Sequence, residues 1–414
     1  MEGHLSYKRF VGKRMHLGVC GSVAGYKALE LLRQWKDAGV DISATLTESA
    51  RQFLTPLLFE ALGASPVFDA MYADKDTTGH FDNAFPHLTP GAACDAFVIV
   101  ATSASTLARL AHGMADELLS CQALAFPGPL VLAPAMNPRM WANAATQENW
   151  ATLRRRGHIL VEPASGRVAC MEEGSGRLAD SREIYLAGLK ALSSQDMQGK
   201  TVMVTLGPTR EYWDGIRFWT NPSTGTMGAA IAVAAHLRGA KVHAICGPGA
   251  GGGLPWLPPA INRHDVVSAK DMFAAASDLW PSSDIGIFSA AVADFAPQPV
   301  GKEKFKKDGV QDGLTIAFTP NPDILKTLAS EKKEHQRVVA FAAETSNLES
   351  SALQKLERKN ADMIVGNMVN TVDSGFGDGS NAGFVADRTG AREFWPPTSK
   401  ADMAWRIFDW LLHL

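Results

Sequence analysis

One pattern occurs twice in this chain and limits the folds open to it: a short apolar strand, a turn carrying glycine, a helix ended by glycine, and a second apolar strand. In the first copy Met15 to Cys20 is followed by Gly21-Ser22-Val23-Ala24-Gly25 and then by Tyr26 to Ala38, where Leu29, Leu31, Leu32 and Trp35 make an apolar helical face. Gly39 stops that helix and Asp41 to Leu46 reads as the next strand. The second copy runs from the strand Thr201 to Thr205, through the helix Met227 to Arg238 and its stop at Gly239, to the strand Lys241 to Cys246. Here the connection Gly207 to Thr226 is about twenty residues, long for a strand-to-helix loop and therefore expected to carry function.

Further runs at Phe97 to Val100, Leu130 to Leu132, Ile285 to Phe288 and Met363 to Val365 are almost continuously apolar, as in parallel strands covered on both faces. Helical segments separate them. The expected class is therefore α/β, with two three-layer doubly wound domains. The polar stretch Ser193 to Gly199 lies between the two copies and sets the expected division at 1–196 and 197–414.

With 414 residues, 46% of them hydrophobic and 20% charged, the chain can bury two cores. Its formal charge of -3 provides no global basic field, so phosphate chemistry must rest on local clusters and nucleic acid is not expected as a partner. The basic segment Met1 to Arg14 lacks the apolar core of a secretory signal, and runs such as Ala96 to Ala101 are too short to span a bilayer, so no membrane is expected. Five cysteines, odd in number and without a CxxC pair, argue against a disulfide framework and a zinc site, and a reducing cytoplasm is the expected setting. The segment Gly247 to Gly253 lacks the GxxxxGK[ST] order of a phosphate loop and reads as a flexible connection.

Two groups of residues carry candidate chemistry. In the first half Gly18, Gly21 and Gly25 follow a strand and open a helix, where backbone amides can hold a phosphate. The spacing is not GxGxxG, which favours a mononucleotide such as FMN over a nicotinamide dinucleotide; a tight turn would also need these glycines for structural reasons alone. Ser103, after the strand Phe97 to Val100, starts the next helix. His87 lies ahead of that strand, Pro134-Ala135-Met136-Asn137 follows Leu130 to Leu132, and Cys170 precedes the loop Glu172-Glu173-Gly174-Ser175-Gly176-Arg177. A lone histidine is commonly structural and a lone cysteine commonly core; the Gly-Ser-Gly-Arg loop beside Cys170 makes a mobile flap the better reading for the cysteine.

In the second half Gly207-Pro208-Thr209-Arg210-Glu211 follows a strand, and Asn221-Pro222-Ser223-Thr224-Gly225 leads into a helix whose first amides could grip a phosphate. Ser289 to Phe295, including Ala291 and Asp294, follows another strand. Next come Lys302, Lys304, Lys306 and Lys307, then Asn321-Pro322-Asp323-Ile324, Phe341 and the helical pair Lys355 and Lys359, four apart on one face. A lysine run is also what a solvated loop looks like.

In that order and at those spacings, over nearly the whole chain, these segments resemble the bifunctional phosphopantothenoylcysteine decarboxylase/phosphopantothenate–cysteine ligase of coenzyme A biosynthesis. The resemblance implies a flavodoxin-like FMN domain followed by a Rossmann-like, CTP-dependent ligase domain. The decarboxylase must create an electron sink before CO2 can leave a cysteinyl carboxylate, and oxidation of the thiol to a thioaldehyde with flavin creates it. It implies FMN contacts at Gly21, Ser22, Val23 and Ser103, acid/base work at His87, a grip on the substrate carboxylate at Asn137, and protonation of the enethiolate by Cys170. For the ligase it implies that Lys304 supports acyl-cytidylate formation and Asn221 positions the activated carbonyl, with Ala291, Asp294, Asn321, Phe341, Lys355 and Lys359 contacting CTP, accompanied by Mg2+. Small-molecule substrates, a trimeric FMN domain and a dimeric ligase domain are implied as well.

Four positions depart from the family pattern: Ala101 replaces a usual proline, Ser105 an acidic or amide residue, Met171 a glycine and Thr226 a lysine. Two other readings share part of the pattern. A flavoprotein that decarboxylates the C-terminal cysteine of a peptide would use His87, Asn137 and Cys170 but not the second half; a non-catalytic flavin-domain binding protein would need neither His87 nor Cys170.

Overall fold

The computed structural model describes residues 2–71, 85–249, 253–306, 313–368 and 381–414. The chain forms two compact units, Tyr7–Ser194 and Gln195–Leu414 together with Met1–Ser6.

In the first unit β1 (Arg14–Val19), β2 (Asp41–Leu46), β3 (Val67–Phe68), β4 (Ala96–Thr102), β5 (Leu130–Pro134) and β6 (Ile159–Leu160) form one parallel sheet in the order β3-β2-β1-β4-β5-β6. Every residue of β4 is buried, as a continuous apolar run in the middle of a three-layer domain requires. The helices are α1 (Lys27–Asp37), α2 (Pro56–Ala61), α3 (Thr89–Ala93), α4 (Ala104–His112), α5 (Leu118–Ala125), α6 (Pro138–Ala142), α7 (Ala144–Arg155) and α8 (Ser181–Leu192). Phe97 and Ile99 of β4 share one core with Leu107 of α4, Leu119 of α5 and Trp150 and Leu153 of α7. Trp35 of α1 is fully buried and donates its indole N–H to the Tyr185 carbonyl of α8 at 3.1 Å. A hairpin of β7 (Ala164–Arg167) and β8 (Glu173–Arg177) stands apart from the sheet. Strand order reverses between β1 and β4, and the carboxyl ends of such a pair leave a crevice.

The second unit contains β9 (Thr201–Leu206), the hairpin β10 (Arg210–Tyr212) and β11 (Phe218–Thr220), β12 (Lys241–Cys246), β13 (Asn262–Asp265), β14 (Ile285–Phe288), the pair β15 (Phe295–Pro297) and β16 (Phe318–Pro320), β17 (Arg337–Glu344), β18 (Met363–Met368), β19 (Asn381–Asp387) and β20 (Arg392–Thr398). Its helices are α9 (Thr226–Leu237), α10 (Ala269–Leu279), α11 (Ile324–Ser330), α12 (Leu348–Arg358) and α13 (Lys400–Leu411). The main sheet runs β13-β12-β9-β14-β17-β18-β19-β20, reversing between β9 and β14. It is parallel as far as β18, and then β19 and β20 run antiparallel.

The structure differs from the sequence-based expectation in two places. The antiparallel β19–β20 hairpin was not anticipated, although Phe384 and Trp395 bury its inner face. Residues Met1–Ser6, expected in the first domain, belong to the second unit, where the helical turn Gly3–Leu5 packs on α9 and α13. There Leu5 is fully buried and His4 Nε2 lies 2.7 Å from the Trp256 carbonyl oxygen, a destination that no local pattern announces. No helix among the described residues is long and apolar enough to cross a membrane.

Candidate active sites

The first site collects at the carboxyl ends of β1, β4 and β5. The turn after β1 contains Gly21, where a Cβ would fall 2.3 Å from Ser49 Cβ, so this glycine is demanded by close packing. Ser22 accepts a hydrogen bond from the Ala24 amide at 3.3 Å, and Val23 beside it is 57% exposed. The turn after β4 starts with Ser103, the N-cap of α4, whose Oγ accepts from the Thr106 amide at 3.2 Å. Cys20 Sγ donates to Thr106 Oγ1 at 3.4 Å and so ties the two turns together across the point where strand order reverses. Burial pushes the Cys20 thiol up to about 11, which keeps it protonated and makes it a packing group rather than a nucleophile. Gly21, Ser22, Val23 and Ser103 thus share one edge of the sheet. Ala101, just before, has φ +55 where the β4–β5 register shifts, a conformation closed to proline.

After β5, Asn137 caps α6 through Oδ1, which accepts from the Arg139 amide at 2.8 Å, while its Nδ2 donates to Cys170 Sγ at 3.2 Å. Cys170 is exposed at the tip of the β7–β8 hairpin. The hairpin lies directly on the Met136–Asn137 segment: Met136 N donates to the Gly176 carbonyl at 2.9 Å, and a Cβ at Gly176 would stand 2.5 Å from Met136 O. Arg139 adds a two-pronged contact to Glu172 at 3.1 and 2.5 Å. Met171 has φ +68, the left-handed region that glycine takes without strain. His87 is half-buried with its ring edge-on to Phe85 at 6.3 Å, and among the described residues neither Asn137 nor Cys170 hydrogen-bonds it. Two of the three decarboxylase candidates therefore meet within this chain.

The second site is a cavity of about 660 Å³ at the carboxyl ends of β9 and β14. Asn221, Ala291, Asp294, Asn321, Phe341, Lys355 and Lys359 all line it. Asn221 Nδ2 donates to the Val292 carbonyl at 3.1 Å, and the Asn321 amides, backbone and side chain, donate to the carbonyls of Asp294 and Ala293 at 2.8 Å each. These bonds fasten three loops into one wall. The Asn321 side-chain oxygen is buried without a partner among the described residues. Lys359 pairs with Asp323, the N-cap of α11. Burial, the largest influence on Lys355, lowers its pKa, and the neighbouring Lys359 charge adds to this, whereas Glu344 opposes it. Gly225, with φ +76, delivers the chain into α9, whose first-turn amides face the cavity end lined by Thr226, Met227 and Gly228.

Lys304 does not line the cavity; it is exposed, as are Lys302 and Lys306, and Lys307 lies outside the described residues. Its loop is anchored next door, where the Phe305 amide donates to Asp214 Oδ2 at 3.1 Å and Arg217 Nη1 donates to the same oxygen at 2.6 Å. Backbone hydrogen bonds, from Arg217 first and then Ile216 and Phe305, hold the Asp214 carboxyl down to about 2. The segment Gly247 to Gly253 is only partly described, residues 250–252 lying outside. Sequence reasoning missed Asn367, Asn381, Lys400 and Met403, which line the same cavity from β18, β19 and α13. The Ser399-x-x-Asp402 cap of α13 was a readable helix signal, but nothing in it indicated a cavity.

Residues 5–190 match the family model described as Flavoprotein, and residues 197–414 match the DNA/pantothenate metabolism flavoprotein C-terminal domain. The coenzyme A biosynthesis bifunctional protein CoaBC of Vibrio cholerae serotype O1 is 38% identical over 404 residues, covering 97% of this chain and 98% of its own. That of Escherichia coli strain K12 is 40% identical over 373 residues, covering 90% of each chain. The Bacillus subtilis strain 168 protein of the same name is 37% identical over 397 residues, covering 95% of each. With two family models laid end to end along it and relatives aligned over nearly its full length, the chain belongs to the family of coenzyme A biosynthesis bifunctional proteins.

Proposed function

We propose that the protein joins cysteine to 4'-phosphopantothenate at the second site, through an acyl-cytidylate formed with CTP and Mg2+, and decarboxylates the product to 4'-phosphopantetheine at the first site with FMN. The observation that carries this reading is the second cavity, which draws together seven residues named from sequence and separated along the chain from Asn221 to Lys359. Lys355 and Lys359 offer the cations a triphosphate needs, and Asn221 stands beside the Ala291–Val292 carbonyls where an activated acyl group can be held. Lys304 acts from its anchored loop, adding positive charge as pyrophosphate leaves.

At the first site the residues present suit FMN. Ser22, Ser103 and the amides that follow them offer donors for a phosphate, and the exposed apolar surface of Val23 suits a ring. When bound, FMN would take two electrons from the substrate thiol and return them after CO2 has left, so that the conversion is redox-neutral overall. Asn137 Nδ2, which donates to Cys170, turns to the substrate carboxylate, and Cys170 delivers the proton that replaces CO2. His87 serves as acid/base from a neighbouring copy of the first unit, in keeping with a trimeric FMN domain and a dimeric ligase domain; the setting is cytoplasmic.

The purified protein should be yellow and should convert phosphopantothenate, cysteine and CTP to 4'-phosphopantetheine. Cys170→Ser should keep the chromophore and lose release of 4'-phosphopantetheine, with CO2 loss persisting; wild-type product formation by this variant removes Cys170 from the protonation step. His87→Asn should stop the earlier oxidation, so that no decarboxylated intermediate forms.

A further inference from the structure

The α9 end of the second cavity has a wall that the sequence pattern did not reveal. Asn381 opens β19 and pairs across the hairpin with Thr398; Ser399 then caps α13 by accepting from the Asp402 amide at 3.0 Å, and Lys400 is the first residue of that helix. Helix α13 packs on α9, and Asn381 Nδ2 lies 4.0 Å from Met227 Sδ in the first turn of α9. Lys400, Asn381, Thr226 and Met227 consequently border one end of the cavity.

Two features of this end point to an anionic ligand, and a third to hydrogen-bond donors beside it. Lys400 lines the cavity while only 3% exposed, which sets a cationic side chain at this end where bulk solvent screens charge little. The first-turn amides of α9 favour an anion, yet that turn brings no cation of its own: position 226 is threonine, and its hydroxyl lies 2.7 Å from Thr224 Oγ1. Asn381 is 6% exposed, lines the cavity, and its Oδ1 has no hydrogen-bond partner among the described residues, an acceptor that a ligand hydroxyl or amide could satisfy after a turn of χ2. Lys355 and Lys359 lie on and just beyond α12, so the cations of the cavity fall on two separate elements.

We propose that Lys400 holds the phosphate monoester of the acyl substrate at the first turn of α9, supplying from α13 the positive charge that Thr226 does not. This rests on the ligase reading of the cavity. The lysines of α12 then serve the nucleotide, while Asn381 faces the hydroxyl and amide donors of the pantothenate arm.

The test is pyrophosphate release with cysteine omitted and CTP saturating, comparing 4'-phosphopantothenate with pantothenate, which lacks only the phosphate. Lys400→Met should lower kcat/KM for the phosphorylated substrate by about ten- to a hundredfold, the range for losing a hydrogen bond to a charged group, and leave both KM for CTP and kcat/KM for pantothenate unchanged. Lys400→Arg should retain most activity, and Thr226→Lys in the Lys400→Met background should restore preference for the phosphate. Equal losses on both acyl substrates, an effect confined to KM for CTP, or no effect would each overturn the proposal. Should Lys400→Met fail to fold, Lys400→Gln, one atom shorter than lysine but polar, carries the same comparison. Lys355→Met is the control for the underlying reading: if it leaves KM for CTP and pyrophosphate release untouched, the cavity is not the ligase site, whereas if it impairs them and Lys400 shows no phosphate selectivity, only the role of Lys400 falls.

Discussion

Cys170 and Lys304 show how differently two residues named from the same kind of pattern can be placed. Cys170 meets Asn137 because the β7–β8 hairpin is laid on the Met136–Asn137 backbone and fastened by Arg139 to Glu172. Lys304 stands exposed, and the anchoring of its loop falls to its neighbour Phe305 through Asp214. If Lys304 acts on the triphosphate, Lys304→Gln should lower pyrophosphate release with cysteine omitted by about a hundredfold, the scale for removing one preorganised charge partner. A solvated lysine would change that rate by less than about twofold. FMN-dependent decarboxylation of supplied phosphopantothenoylcysteine should be unaffected in either case.

At the scale of elements, β1 buries a titratable group in the middle of the first sheet. His16 is fully buried between Ser43 and Thr45, with its ring nitrogens 2.7 and 2.9 Å from their hydroxyl oxygens, and burial lowers its pKa from 6.5 to about 3. Above pH 6.5 folded and unfolded chains both carry it neutral; between 6.5 and about 3 only the unfolded chain takes up the proton, so stability falls as pH falls. The slope from this one group approaches about 1.4 kcal/mol per pH unit. Urea unfolding of the holoprotein, followed by flavin fluorescence, should show a shallower acid limb for His16→Asn, whatever its stability at neutral pH; an unchanged limb would mean that His16 is already protonated in the fold. Where β4 ends, the left-handed backbone of Ala101 makes a second expectation: Ala101→Pro should destabilise the first unit by more than about 1 kcal/mol, read as a lower urea midpoint. A neutral effect would show that the local backbone can take the proline conformation.

For the whole molecule, the division near Ser194 predicts that a fragment beginning at Gln195, though it lacks the Gly3–Leu5 turn that packs on α9 and α13, folds and forms the acyl-cytidylate without flavin. The exact start matters because Arg238, 2% exposed, is held by Asp196 at 2.8 and 2.7 Å and by Asp409 at 2.6 Å. A fragment beginning at Gln198 loses one of these carboxylates from a buried guanidinium and should unfold at lower urea than the Gln195 fragment, by about 1–3 kcal/mol. Equal midpoints would show that Asp409 alone suffices.

The two strand–turn–helix units, and the strand ends at which the candidate residues sit, were legible in the chain because their signals are local. Apolar runs buried on both faces, glycine stops after helices, and short motifs at the carboxyl ends of strands declare themselves within a few residues, and doubly wound topology carries those ends to one edge. Asn137, Asn221, Asp294 and Phe341 were named from the family resemblance, and the last three line one cavity. The unread parts depend on packing between residues distant in sequence. The turn Gly3–Leu5 packs on helices more than two hundred residues away, and Lys400 and Asn381 reach the cavity only because an antiparallel hairpin extends the sheet and returns α13 against α9. Local pattern identifies a buried strand or a capped helix; which cavity a buried lysine borders is decided by the packing of the finished layers.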